Sequence, residues 1–66
     1  MKSIKINKGF YKVNHSKGLI YIQYDKEIEG QLKWSVWSDA FEIAEYMDGL
    51  WISKTEALMM IESEIN

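Results

Sequence analysis

Hydrophobic and polar residues alternate with a period of two through the first half of the chain, and the period changes after Ser38. Ser3–Asn7 sets Ile4 and Ile6 on one side and Ser3, Lys5 and Asn7 on the other, which is the pattern of a strand. Phe10–His15 continues as a second extended segment, with Gly9 expected as a bulge or bend. Asn14-His15-Ser16-Lys17-Gly18 is hairpin-turn chemistry, because Gly18 is free to take a positive φ. Residues 19–25 form the clearest strand, rich in β-branched and aromatic side chains, and 26–30 read as the next turn. Residues 32–38 form a further strand, with Trp34 and Val36 alternating against Lys33, Ser35 and Trp37. Short connections between consecutive strands imply an antiparallel meander.

Beyond Ser38 a helical period takes over. Asp39 with Glu42 three residues on is close to a capping box, and Ala40, Phe41, Ala44 and Met47 fall on one helical face. Asp48-Gly49 is a suitable stop. The competing pattern is another strand, since Phe41 and Ile43 also alternate with Glu42 and Ala44; the cap and stop signals favour helix over 39–48. Leu50-Trp51-Ile52 reads as a connector or short edge strand. The last segment predicts a helix capped by Ser53 or Thr55, with Ala57, Leu58, Ile61 and Ile65 as its apolar stripe and Met60 beside them. Glu62 and Glu64 oppose the helix dipole near its end, so that end is expected to fray.

The expected fold is therefore α+β, in one domain over residues 1–66. Residues 1–38 form a three-stranded antiparallel meander, four-stranded if the N-terminal segment joins, and it packs against one or two C-terminal α-helices within 39–66. One sheet face would carry Tyr11, Val13, Ile20, Ile22, Tyr24, Leu32, Trp34 and Val36, a floor for the last helix. The opposite face would carry Phe10, Lys12, Leu19, Tyr21, Gln23, Lys33 and Trp37. Either Ile4, Ile6 or the 39–48 segment covers that second face, or its aromatic residues are an exposed contact patch.

Composition narrows the means of stabilisation. With 66 residues, no cysteine and a single histidine, neither a disulfide nor a structural zinc site is available. Stability must come from packing, and a chain that is 47% hydrophobic and 14% aromatic is rich enough for it. No apolar run approaches the ~20 residues that span a bilayer, and the first residues lack a hydrophobic signal segment. A cytoplasmic location is the default expectation.

Charge is unevenly placed. Residues 1–33 hold seven lysines against Asp25, Glu27 and Glu29, a net +4. Residues 34–66 hold Lys54 against seven carboxylates, a net −6. The chain has no arginine, the residue best suited to bidentate contact with phosphates and guanine edges. That absence and the acidic total count against sequence-specific reading of nucleic acid.

No catalytic, cofactor or metal constellation is visible. His15 has no acid or nucleophile at a recognisable spacing. Asp39, Glu42, Glu45 and Asp48 recur every third residue and match no calcium loop. On a helix they would form an acidic stripe able to enter a partner's basic groove. In length and acidity the chain resembles small phage- or plasmid-encoded inhibitors, although no motif ties it to such a family. Residues 41–61 also invite a helix-turn-helix reading, but the connection from Met47 to Ser53 is long and Glu56, Glu62 and Glu64 would repel phosphate. The sequence thus points to a non-enzymatic binding protein, an inhibitor or regulator of a partner protein. Its contact residues are expected to be Tyr21, Trp37, Asp39, Glu42, Glu45 and Asp48. Nucleic-acid binding, by the helix-turn-helix or the aromatic sheet face, and homo-oligomerisation are the alternatives.

Overall fold

The computed structural model describes residues 2–24, 34–43, 50–51 and 53–65. Five strands form one antiparallel sheet in sequence order: β1 (Ser3–Asn7), β2 (Phe10–His15), β3 (Gly18–Tyr24), β4 (Trp34–Ser38) and the two-residue β5 (Leu50–Trp51). A single described helix, α1 (Lys54–Glu64), follows. The α+β class and the meander are as expected. The N-terminal segment joins the meander by pairing with β2, and Leu50–Trp51 takes the edge-strand alternative by pairing with β4, so the sheet has five strands rather than three or four.

Cross-strand register assigns the two faces. Val13 lies opposite Ile20, and Tyr11 opposite Ile22, which in turn lies opposite Val36. Tyr24, Trp34 and Trp51 form the next row. These residues share one face, and α1 covers it. Val13, Ile20, Ile22 and Val36 are buried together with Ala57, Met60, Ile61 and Ile65 of the helical segment. Each fully buried aliphatic side chain contributes about 1.5–3 kcal/mol relative to exposure. Tyr11, Trp34, Trp51 and Leu58 close the margins of this core. Lys54 adds a charge to that margin, with its Nζ 3.9 Å from the centre of the Tyr11 ring.

Ser53 caps α1: its backbone is extended and its hydroxyl accepts the Glu56 N–H at 3.2 Å. At the other end, Ile65 is buried and its N–H returns to the Ile61 carbonyl. The Ile65 carbonyl accepts a hydrogen bond from His15 Nε2 at 2.8 Å. His15 Nδ1 accepts the Lys17 N–H at 3.1 Å, which places the ring proton on Nε2 as the donor. His15, expected as a surface turn residue, is instead half-buried and ties the β2–β3 hairpin to the end of the helix.

The segment after β4 departs from the predicted helix. Residues 39–41 are bends, Glu42 is irregular and only Ile43 is in a 3-10 turn, so no helical turn starts at Asp39 for it to cap. Ser38 takes that role locally: its hydroxyl donates to the Leu19 carbonyl at 2.6 Å and accepts the Ala40 N–H at 3.1 Å. Phe41 and Ile43 then turn toward the core while Glu42 faces water. Residues 44–48, with Glu45 and Asp48, lie outside the described residues. The first helix of the helix-turn-helix reading falls largely outside the described residues, and Leu50–Trp51 in its connection is a strand.

Two glycines permit the turns. Gly9 has φ +71 in the two-residue Lys8-Gly9 turn, while the bulge expected there falls earlier, between Lys5 and Asn7. Gly18 has φ +140 at the start of β3, and neither Ser16 nor Lys17 takes a positive φ, so Gly18 absorbs the change of hand. A Cβ on Gly18 would lie 2.5 Å from Ala40 Cβ.

Gly18→Ala is accordingly expected to destabilise the domain by about 1–3 kcal/mol through strain and clash, read as a lower urea midpoint with unchanged slope. His15→Ala is expected to cost about 1–2 kcal/mol by removing the donor to Ile65, and His15→Gln should recover part of that loss in the same assay.

Candidate functional site

The sheet face turned away from α1 carries the candidate site. Lys12 lies opposite Tyr21, and Tyr21 opposite Trp37. Phe10 sits two residues before Lys12 on β2, diagonal to Tyr21. Diagonal neighbours across strands are within reach when the side chains are aromatic. The Tyr21 and Trp37 rings stack with centroids 4.4 Å apart, and Phe10 stacks on Tyr21 at 5.6 Å and on Trp37 at 6.4 Å. All three pairs are near parallel, with interplanar angles of 14–26°.

This triad is not sealed. Trp37 is 37% exposed, and Phe10 and Tyr21 are half-buried. Neither of the two expected covers lies over it among the described residues. Phe41 and Ile43 pack into the core on the α1 side. Ile4 continues the row beyond Lys12, but at the sheet margin, where it is 46% exposed. The face therefore keeps apolar area in water, set among Lys12, Gln23, Ser35 and Asn14. Among the described residues of β1–β4, no carboxylate lies on it.

Of the six contact residues expected from sequence, Tyr21 and Trp37 come together as cross-strand partners. Asp39 and Glu42 are exposed just beyond the end of β4, two and five residues past Trp37. Asp39 is in a bend and Glu42 in an irregular position, so the described part of the acidic row is not a helical face. Glu45 and Asp48 lie outside the described residues. Phe10 belongs to the patch; its place was legible from its alternation with Tyr11, and its stacking on Tyr21 required the β2–β3 register.

Other chemistry is sparse. No group of three or more His, Asp or Glu among the described residues is arranged to hold a metal ion. No described helix is long and apolar enough to cross a membrane. An open groove runs between the start of β1, the β2–β3 turn and the end of α1, lined by Lys2, Ile4, Asn14, Ser16, Glu62 and Ile65 among others. His15 is spent there on its two backbone contacts. No family model matches the chain, and neither a curated protein nor a solved structure matches it.

The exposed ring of Trp37 should matter little to folding. Trp37→Ala is expected to cost about 0.5–1.5 kcal/mol, the worth of an aromatic pair. Ile20→Ala, in the core, is expected to cost about 2–5 kcal/mol. Urea unfolding of the two variants measures the difference.

Proposed function

We propose that this chain is a non-enzymatic binding protein that inhibits or regulates a partner protein, with the Phe10–Tyr21–Trp37 face as the centre of contact. One observation carries the reading: three stacked aromatic rings stand on the sheet face that the helix leaves bare. Tryptophan and tyrosine dominate the energetic centres of protein interfaces, where the surrounding groups chiefly exclude water. Asp39 and Glu42, just past β4, supply negative charge at one end, suited to a partner whose groove carries lysine or arginine at that margin.

Stacking of nucleobases is the rival use of an aromatic sheet face. It asks for ring faces open to the base, whereas Tyr21 and Trp37 turn theirs to each other at 4.4 Å. The absence of arginine weighs the same way.

The test is capture of partners from the source cells, followed by titration of the purified partner. A partner retained stoichiometrically by the wild-type chain is expected to bind at least ~30-fold more weakly to Tyr21→Ala/Trp37→Ala, equivalent to about 2 kcal/mol. Glu42→Lys/Glu45→Lys is expected to weaken it less and in a salt-dependent way. Undiminished affinity in the aromatic variant, with its fold intact by circular dichroism, would remove this face from the mechanism.

A further inference from the structure

We infer that the outer edge of β1 accepts an acidic, extended peptide segment as an additional strand of the sheet. The strand order begins at β1, so β1 has β2 on one side and no strand on the other among the described residues. An edge of this kind presents a row of backbone donors and acceptors that can template a further strand. The regular residues Ser3 to Lys5 at about 3.3 Å each give an edge of roughly 10 Å, enough for a short peptide.

Charge selects the occupant. Lys5 lies within β1, Lys2 and Lys8 flank its two ends, and all three are exposed. None of them forms an ion pair among the described residues. Residues 2–24 carry five lysines and no carboxylate, so nothing within β1–β3 neutralises the edge. Ile4 and Ile6, 46% and 47% exposed, add apolar contact between the charges. The complementary ligand is a strand that alternates carboxylate and aliphatic side chains.

A second copy of this chain is a poor occupant of the same edge. Pairing β1 with β1 would bring two edges of the same positive charge together, and like charges across a strand pair are destabilising. Lysines and a bulge, here between Lys5 and Asn7, are common guards against edge-to-edge association. A guard made of positive charge does not repel an acidic strand. The bulge confines the regular part of the edge to its first residues, Ser3 to Lys5.

The inference does not rest on the aromatic-face reading, which concerns β2–β4. Its test uses a short blocked peptide of alternating glutamate and valine, titrated into the isotopically labelled chain. The expected result is amide shift changes at Ser3–Asn7 and slowed hydrogen exchange there. Affinity should fall as salt is raised, and by about tenfold or more in Lys2→Glu/Lys5→Glu/Lys8→Glu. If the triple variant loses its folded spectrum, Lys5→Gln serves instead, with a smaller loss expected. Any of three results overturns the inference: no shifts at millimolar peptide; shifts confined to Tyr21 and Trp37; or equal binding of a lysine–valine peptide. Tighter binding of single-stranded oligothymidylate to the same lysines would overturn it in favour of a nucleic-acid ligand.

Discussion

Val13, Ile20, Ile22 and Val36 form an apolar floor that has to leave water, and α1 is the described element that lies over it. Every other feature is conditioned by this contact. Without cysteine, and with a single histidine, the chain has no covalent or zinc staple to fall back on. The floor meets Ala57, Met60, Ile61 and Ile65, a set that is small at one end and long at the other. Ala57 brings the start of the helix close to the sheet, and the isoleucines fill the far end. The Ser53 cap and the His15–Ile65 bond hold the two ends of this helix in place. Among the described residues, a sheet of five strands with one helix across it is thereby a two-layer structure, the minimal arrangement that buries one sheet face.

That arrangement leaves the reverse face without a second layer among the described residues. Apolar area there is reduced by contact among the rings themselves. Phe10, Tyr21 and Trp37 shield one another while remaining reachable from solvent. Trp37 adds little to the core, because its ring stands on the side opposite Val36. Exposed apolar area of this kind is the physical basis for the proposal that this face binds a partner.

The charge distribution follows the same division. Described carboxylates lie on α1 and on the run after β4, whereas β1–β3 carry only lysines. Unequal charge on different elements gives a small domain a field that can steer a charged ligand, although Glu62 of α1 shares a groove with Lys2. The charges also separate two kinds of surface: an aromatic face with negative charge at one margin, and a strand edge with positive charge along it.

Much of this was legible in the sequence. Period-two alternation marks β2, β3 and β4 because each has one face in the core, and it distinguished the two faces for the described residues, Leu32 and Lys33 lying outside them. Ser53 and the stripe through Ala57, Ile61 and Ile65 mark α1, since cap chemistry and helical spacing are local properties. The pairing of Tyr21 with Trp37 was less accessible. Each is visibly on the reverse face, but their stacking depends on the β3–β4 register, which no local signal specifies. The acidic row illustrates the opposite failure. Asp39 with Glu42 has the local form of a capping box, yet Ser38 captures the Ala40 N–H and Phe41 and Ile43 are drawn into the core. His15 has no sequence signal for its role either, because its partner is fifty residues away. The sequence by itself determined which residues alternate, where the chain turns and where the last helix starts, since these follow from backbone preference and spacing. Only the tertiary structure decided which face is bare, which rings meet and which histidine anchors the helix, because those depend on contacts between segments distant in the chain.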